Sequence, residues 1–300
     1  MNLILLYIIL FLIIIALLRY VLKKFLKYKK IYLKNGLDGS YYYFINKNFK
    51  KKGLNNFFDK KRRDFVNQLS KITNQRIYSG PYKNVKILNI NQVYDVDLVS
   101  ILLGTYELQI QNKIIELSKK YNLKYFIDLG AGEGFHIISL LKKKYFKEGF
   151  AFEINEKSRI YINKNSILNG VKKKIKIYGE ANFLILRNIL KKKEMKKILF
   201  LIDIEGNEYN LINENFCKQF KNCHFIIEDH NFNVLQKKKK KRFYYLIKKY
   251  FSVNILNDSG KDPFKLDILK NYSDDEKYLM MSEGRPKSMQ WLVLKPKNYK

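Results

Sequence analysis

The segment YFIDLGAGEG, residues 125–134, decides the fold. It begins with an apolar run that ends in an acid, and three glycines then alternate with other residues before a stretch of helical spacing. Glycine allows a sharp turn of the backbone and a close approach to a ligand. The segment therefore predicts a strand, a ligand-binding turn and a helix, in that order.

Strands and helices alternate after this turn. The strands are apolar runs without strict alternation, which is typical of a parallel sheet covered by helices on both faces. We therefore predict an α/β fold with a doubly wound, mostly parallel sheet of seven strands. The strands are expected at 125–128, 149–153, 175–178, 198–203, 224–228, 251–255 and 290–294, and helices at 135–144, 155–169, 182–193, 207–220 and 232–249.

The region before the turn is less regular. Residues 61–79 predict a short helix, and VKILNI at 85–90 alternates enough to predict a strand. Residues 97–120 have apolar positions at helical spacing and predict one or two helices.

The spacing of the glycines indicates the ligand. Gly130, Gly132 and Gly134 follow a G-x-G-x-G pattern, whereas dinucleotide folds space the turn G-x-G-x-x-G around a pyrophosphate. Asp128 stands two residues before the first glycine, where a carboxylate would repel pyrophosphate but suit ammonium and sulfonium groups. This pattern favours S-adenosylmethionine over a nicotinamide cofactor.

Acidic residues also follow the next two predicted strands. Glu153 is placed to accept hydrogen bonds from the two ribose hydroxyls of a nucleoside. Glu180 and Ala181 end the third strand, where a carboxylate can accept from an adenine amino group. The alternative is that strand-end acids of this kind are simply common in doubly wound folds.

Three motifs in the core from about 100 to 295 resemble a known family. They are LLGTYE at 102–107, DLGAGEG at 128–134 and DIEGNE at 203–208. Together they resemble class I S-adenosylmethionine-dependent methyltransferases, and more narrowly the FkbM-type group. The resemblance implies a Rossmann-like sheet of seven strands whose last strand is antiparallel.

Two acids mark the reaction end of the predicted site. Asp203 ends the fourth strand and Glu228 ends the fifth, and the carboxyl ends of neighbouring parallel strands converge on the ligand crevice. Methyl transfer to a hydroxyl needs a base that removes the proton as the oxygen attacks. Asp203 is the first candidate, Glu228 the second and His230 the third, with a purely structural role as the alternative for His230.

The expected site contains no metal. Asp203, Asp229 and Asn231 are similar to the ligand pattern of catechol-type O-methyltransferases, but the rest of the chain does not follow that family. Glu205 and Glu208 have an alternative role, since acids in the first turn of a helix stabilise its dipole.

Two further residues near the turn are open to more than one interpretation. Glu107 either faces a ligand or lies on a helix surface, and His136 is expected to pack or to face solvent.

The composition excludes several classes of protein. The 300 residues are 47% hydrophobic, which excludes a disordered chain, and only two cysteines, Cys217 and Cys223, exclude a disulfide scaffold. The formal net charge is +32, spread over short lysine blocks. We interpret these blocks as solvated surface, with an anionic lipid surface as the second reading, and we do not expect a nucleic acid partner.

The N-terminus indicates a membrane. Residues 3–18 are apolar without interruption, and the stretch reaches Leu22 if the side chain of Arg19 extends to the lipid headgroups. Lysines follow at once, so the C-terminal side is expected to be cytoplasmic. We predict a single-pass anchor at 1–22, a juxtamembrane segment at 23–96 and a catalytic domain at 97–300. A signal peptide and a buried core helix are the alternatives.

These observations predict a membrane-anchored O-methyltransferase. The resemblance favours a hydroxyl of a sugar or glycan precursor as the acceptor. The polar insertion at 257–288, with Asp258, Lys261, Glu283 and Arg285, is expected to cover the acceptor. The alternatives are a non-catalytic scaffold with the same fold and an RNA methyltransferase.

Overall fold

The computed structural model describes residues 15, 17–26, 54–88, 97–230, 237–257, 260–283, 285 and 289–297. Most of the predicted anchor and much of the juxtamembrane segment lie outside these residues. Within the part of the chain that is described, no helix has the length and apolar character needed to cross a membrane.

A seven-stranded sheet forms the centre of the molecule, in the order β3-β2-β1-β4-β5-β7-β6. Strands β1 to β5 are parallel, and β7 runs antiparallel to both β5 and β6. The predicted α/β sheet with an antiparallel last strand is therefore confirmed. The strands are β1 Tyr125–Leu129, β2 Glu148–Phe152, β3 Ile175–Tyr178, β4 Ile198–Ile202, β5 His224–Glu228, β6 Phe251–Asn257 and β7 Gln290–Pro296.

Helices cover both faces of the sheet, because successive strand residues point to opposite sides. Leu199 and Leu201 pack into one apolar core and Phe200 and Ile202 into the other. The helices are α1 Leu54–Ile72, α2 Leu98–Leu103, α3 Leu108–Tyr121, α4 Phe135–Lys142, α5 Glu156–Leu168, α6 Phe183–Leu190, α7 Glu208–Leu211, α8 Glu214–Phe220, α9 Lys237–Tyr250 and α10 Asp274–Met281.

Two predictions before the glycine turn are wrong. The expected strand at 85–90 forms only a single bridge between Arg76 and Lys86, while residues 89 and 90 lie outside the description. The helix expected at 61–79 spans Leu54–Ile72 instead. It stops there because Asn74 and Gln75 adopt left-handed backbone angles, with φ of 51° and 55°, which no helix can continue.

Two predicted helical stretches are each divided in two. At 97–120 the break falls between α2 and α3, where Gly104 has φ +83° and a Cβ would lie 2.1 Å from the Ser79 carbonyl oxygen. At 207–220 the break falls at Asn213, whose side chain caps α8 by accepting from the Phe216 amide. The first break places Glu107 against His136 of α4.

The polar insertion is ordered in its described part. It contains two short 3₁₀ turns, Pro263–Lys265 and Asp267–Leu269, followed by α10. It docks on α1 through an ion pair between Lys61 and Glu276 at 2.9 Å.

Candidate active site

A cavity of about 510 Å³ opens at the carboxyl ends of the parallel strands. Its wall combines the glycine turn after β1 with the segments that follow β2, β3 and β4. Among the described residues that line it there is neither lysine nor arginine, although the chain as a whole is strongly basic. Its acids are Asp97, Glu107, Asp128, Glu133, Glu153, Glu180, Asp203 and Glu205.

Two glycines of the turn are required by close packing. Gly130 has φ +86°, and a Cβ there would lie 1.7 Å from the backbone oxygen of Asp203. Gly134 has φ +87°, and a Cβ there would meet Ile138 at 2.6 Å. Gly134 therefore serves the packing of α4 and does not line the cavity, whereas Gly130 and Gly132 both line it.

Glu153 is held at the cavity by backbone amides. Its Oε2 accepts from the Gly132 amide at 2.9 Å and its Oε1 from the Asn155 amide at 2.7 Å. The carboxylate thus faces the glycine turn in a fixed orientation. Glu180, which is exposed, and Ala181 line the cavity beyond it, as the strand-end placement predicted.

Asp128 lies buried beneath the turn. Burial raises the pKa of its carboxyl to about 7, and the nearby Glu107 and Glu153 push it in the same direction while His136 opposes them. A cationic group bound next to Asp128 would favour its ionised form.

Only Asp203 of the three candidate bases lines the cavity. Glu228, 2% exposed, and His230 lie behind it. Burial and the adjacent Glu228 raise the pKa of Asp203 well above its usual range, and burial together with Glu107 raises that of Glu228. The proximity of Glu228 thus favours the protonated form of Asp203.

Arg285 connects the insertion to these acids. Its guanidinium donates to Glu228, to Glu107 and, at 2.8 Å, to Glu283. Lys261 donates to the same Glu283. The insertion therefore contacts the acids in and behind the cavity wall through Lys261, Glu283 and Arg285, which the sequence singled out, whereas Asp258 lies outside the described residues.

Glu107 and His136 form a buried pair that the sequence did not predict. Glu107 lines the cavity, and its Oε2 lies 2.9 Å from His136 Nε2, while His136 Nδ1 lies 3.1 Å from the Tyr82 hydroxyl. Although burial opposes ionisation, His136 and Arg285 hold the pKa of Glu107 below its usual value. Nothing local in the sequence indicates this pairing.

Glu208 organises the DIEGNE turn. Its Oε1 accepts from the Ile204 amide at 3.0 Å and the Gly206 amide at 3.3 Å, and lies 3.0 Å from His230 Nδ1. Glu208 thus caps the turn before its helix and orients the His230 ring. Glu205 differs, because its side chain is 89% exposed.

Of the three residues in the catechol-type ligand pattern, Asp229 has other partners. Asp229 is directed away from Asp203 and accepts from the Tyr209 hydroxyl, from Lys240 at 2.9 Å and from the Tyr244 hydroxyl at 2.7 Å. Asn231 lies outside the described residues. A different group of potential ligands comes together, since atoms of Asp203, Glu208 and His230 lie within 4.8 Å of one another.

No protein-family model and no curated protein matches the chain. It is similar to a solved O-methyltransferase from Bacillus cereus in complex with SAH, at 14% identity over 62% of this chain and 81% of that one, with a TM-score of 0.43. It is also similar to the O-methyltransferase TomG from Streptomyces achromogenes in complex with SAM, at 8% identity over 63% and 81%, with a TM-score of 0.43.

A third similar structure is the B. subtilis M1A22 tRNA methyltransferase TrmK, at 10% identity over 62% of this chain and 64% of that one, with a TM-score of 0.40. At this level of similarity nothing about the acceptor follows from the comparisons.

Proposed function

We propose that this protein is a methyltransferase that binds S-adenosylmethionine and transfers its methyl group to a hydroxyl. One observation carries the proposal. A single acid-lined cavity brings the glycine turn and Glu153 together with Asp203, so a nucleoside site and a candidate base face the same space.

The cofactor fits the end of the cavity near β1 and β2. The carboxylate of Glu153 is oriented to accept from ribose hydroxyls, and Glu180 and Ala181 border the space for adenine. Asp128 lies where the ammonium and sulfonium charges would be balanced. A volume of about 510 Å³ falls within the range of small-molecule sites.

The transfer itself is a one-step displacement. The acceptor oxygen attacks the methyl carbon, the carbon–sulfur bond breaks with its electron pair remaining on sulfur, and the proton of the hydroxyl passes to a base. Asp203 is the base because it alone of the candidates lines the cavity. Only the ionised form of Asp203 can accept the proton, and although burial raises its pKa, the positive charge of the bound cofactor would favour that form.

The acceptor is a sugar or a glycan precursor, in keeping with the FkbM-type resemblance. Carboxylates that accept from hydroxyl groups suit a neutral polyol. They disfavour phosphate, because like charges repel in a partly dry cavity. The acidic lining therefore supports a carbohydrate acceptor over RNA.

The membrane is the site of action in this proposal. The apolar residues 3–22 serve as the anchor, with the catalytic domain in the cytoplasm. Helix α9 supports contact with an anionic lipid surface, because Lys238, Lys239, Lys241 and Arg242 are exposed on it. Its first turns stand beside the end of β5, where Lys240 contacts Asp229, so they share the edge of the sheet that bears the cavity.

Calorimetric titration of the full chain in detergent with S-adenosylmethionine and S-adenosylhomocysteine tests the cofactor. Glu153→Gln should weaken binding at least ~10-fold, since hydrogen bonds to a charged group are each worth about 1.5–3 kcal/mol. The exposed Glu156→Gln is the matched control and should bind like the unaltered chain. Absence of binding by the unaltered chain would favour a non-catalytic scaffold.

Labelled methyl transfer tests the acceptor. The protein is incubated with methyl-labelled S-adenosylmethionine and separate fractions of neutral glycans, lipid-linked glycans and RNA. Label in a glycan fraction is the expected result, and label confined to RNA would overturn the carbohydrate proposal.

A further inference from the structure

The edge of the sheet opposite the cavity is strongly basic. Because β1 to β5 are parallel, the segments that precede these strands all reach that one edge. The sequence alone does not predict this surface, since whole helices separate the lysine blocks along the chain. Exposed lysines stand before every one of the five strands, at Lys119–Lys120, Lys142–Lys144, Lys172–Lys174, Lys191–Lys192 and Lys221.

Backbone hydrogen bonds join three of these segments directly. The Lys147 amide donates to the Lys124 carbonyl at 2.8 Å, and the Lys124 amide donates to the Lys197 carbonyl at 2.8 Å. The segments before β2, β1 and β4 therefore touch one another. Neighbouring strands are about 4.8 Å apart, so the five lysine positions form a row roughly 19 Å long. We call this row the lysine edge.

The acids among these segments leave most of the positive charge uncompensated. Glu148 is bound by Lys176 at 2.9 Å and by Lys193, and neither lysine belongs to the five exposed blocks. Glu194 lies 3.9 Å from Lys124, which is likewise outside them. Like charges that the fold holds together repel, so a bound polyanion would relieve this repulsion.

The helix dipole does not account for the arrangement. A dipole favours cations only within the last turn of a helix. Helix α5 ends at Leu168, and Lys172–Lys174 form a separate 3₁₀ turn after it. Lys196 lies in another such turn, Met195–Lys197, after α6 has ended at Leu190. These lysines therefore stabilise no preceding helix.

The aromatic rings on this edge indicate how a polyanion would be held. Lys119 Nζ lies 5.8 Å from the centroid of the Tyr145 ring, and Lys120 Nζ lies 5.7 Å from that of Tyr121. Each ring is half-buried with an ammonium group over one face, so little ring surface is left to stack on bases. Lysine binds phosphate as a point charge and lacks the fork of arginine. The phosphate backbone is therefore what this edge recognises.

A lipid surface fits this edge less well than a linear chain of phosphates does. In the proposed function the first turns of α9 contact the membrane, and they stand at the cavity edge of the sheet. The five residues of β1 separate the two edges by about 16 Å. One planar bilayer does not lie against both edges, whereas a linear polyanion can follow the row of lysines.

We propose that the lysine edge binds RNA through its phosphate backbone, without regard to sequence. The surface goes beyond the proposed methyl transfer and does not depend on it, except that the choice of RNA over lipid uses the membrane contact of α9. RNA bound at this edge is a partner and not the methyl acceptor, because the cavity opens at the other edge.

Salt-dependent RNA binding tests the lysine edge. Anisotropy of a labelled oligouridylate of about 20 nucleotides is measured with the full chain in neutral detergent, between about 50 and 200 mM salt. The edge variant combines Lys143→Gln, Lys173→Gln and Lys196→Gln, one exposed lysine from each of three segments. We expect affinity at low salt to fall at least ~10-fold. The slope of log affinity against log salt should fall by about 2, since each contact with a single strand contributes about 0.7.

The matched control removes the same number of charges elsewhere. It combines Lys60→Gln on α1 with Lys265→Gln and Lys270→Gln in the insertion, all of them exposed. This control should keep nearly all of the RNA affinity. Thermal unfolding shows that both variants are folded, and Lys173→Gln alone, with an expected slope change of about 0.7, replaces an edge variant that is not.

Three results would overturn the proposal. They are no RNA binding by the unaltered chain, binding that the edge variant retains in full, and equal weakening in the edge variant and the control. Vesicles of phosphatidylcholine with and without phosphatidylserine test the lipid alternative. A preference for phosphatidylserine that only the edge variant loses, without RNA binding, would assign the edge to lipid instead.

S-adenosylhomocysteine titration separates this proposal from the methyltransferase one. Both variants should bind S-adenosylhomocysteine like the unaltered chain, because the cavity lies at the other edge. Cofactor binding without RNA binding would leave the methyltransferase proposal standing and reject the lysine edge. RNA binding without cofactor binding would do the reverse.

Discussion

The two ends of the cavity are built by different means. At the cofactor end most of the contacts are made by the backbone. The Gly130 amide donates to the Phe152 carbonyl, and the Gly132 amide donates to the Glu153 carboxylate. At the acceptor end side chains from distant segments meet, and Arg285 binds Glu107, Glu228 and Glu283 at once.

This difference teaches where each end is vulnerable. A tightly packed backbone turn is destabilised when a side-chain atom is added to one of its glycines, because no space is left for that atom. A cluster of buried charges fails when one member is removed, because the others lose their partner. Changes at the acceptor end should therefore be strongly non-additive.

The largest effect should come from adding one methyl group at the cofactor end. In Gly130→Ala the new Cβ would overlap the Asp203 carbonyl oxygen at 1.7 Å, so we expect loss of cofactor binding and of most folded protein. Gly132→Ala is the matched control. Its φ of +51° is strained but nothing lies within 4 Å, so it should cost only about 1–2 kcal/mol. Thermal unfolding measures both, and equal effects would contradict the packing argument.

The acceptor end is tested by removing a charged group, Arg285, instead of adding an atom. Arg285→Ala leaves Glu107 and Glu228 buried without their cation, which should destabilise the protein by about 3–5 kcal/mol. Adding Glu228→Gln to this variant should recover part of the loss, because one uncompensated charge disappears. Chemical denaturation measures the stability, with the exposed Arg242→Ala as control. Simple additivity of the two changes would count against a coupled cluster.

Asp203→Asn separates catalysis from cofactor binding. We expect the rate of methyl transfer to fall more than ~100-fold while affinity for S-adenosylmethionine stays close to normal, since Asn cannot accept the proton. Asp274→Asn, which changes an exposed acid on α10, should alter neither quantity. A rate that survives in Asp203→Asn would remove this residue as the base and leave Glu228 as the next candidate.

The most gradual effect is a dependence of stability on pH. The folded pKa of Asp128 is about 7, well above the value of about 3.9 expected in the unfolded chain. Its contribution to stability is therefore complete below about pH 4 and is lost as the pH rises through 7, with a slope of at most about 1.4 kcal/mol per pH unit.

Asp97, at the acceptor end, also has a pKa raised by burial to about 7, so both ends should titrate in the same direction. Thermal unfolding without cofactor between pH 5 and 8 measures the slope. Asp128→Asn and Asp97→Asn should each flatten it, and the exposed Asp275→Asn should not. A slope that neither change alters would show that these two groups ionise normally.

The residues predicted to bind the cofactor lie together in the structure, because this end of the cavity is built from short, consecutive segments of sequence. The apolar runs of β1 to β5 have the length and the turn residues that fix a parallel sheet, and the acids needed there directly follow the strands. Asp128, Gly130 and Glu153 consequently line one cavity, as predicted.

The acceptor end could be predicted only in part. Asp203 and Glu228 follow strands and were found in that way, but Arg285 is bound to Glu107 across 178 residues of sequence. His136 was expected to pack or face solvent, and its bond to Glu107 depends on the break between α2 and α3. The hydrophobic periodicity of the sequence does not indicate such a contact, because tertiary packing brings the two residues together.

The wrong strand at 85–90 has a similar cause. Apolar and polar residues do alternate in this segment, but a strand also needs a partner strand. The chain forms a short turn there instead, in which the Ile77 amide donates to the Val85 carbonyl. One bridge at Arg76 and Lys86 satisfies the segment without extending into a ladder.

The acidic wall of the cavity also bears on how the product leaves. On the proposed reaction the sulfonium loses its charge when the methyl group departs, so the acidic wall that attracted the cofactor attracts the resulting thioether less. The net positive charge of the chain does not cancel this attraction, because salt screens distant surface charges beyond about 8 Å. The weaker attraction favours release of S-adenosylhomocysteine and its replacement by S-adenosylmethionine.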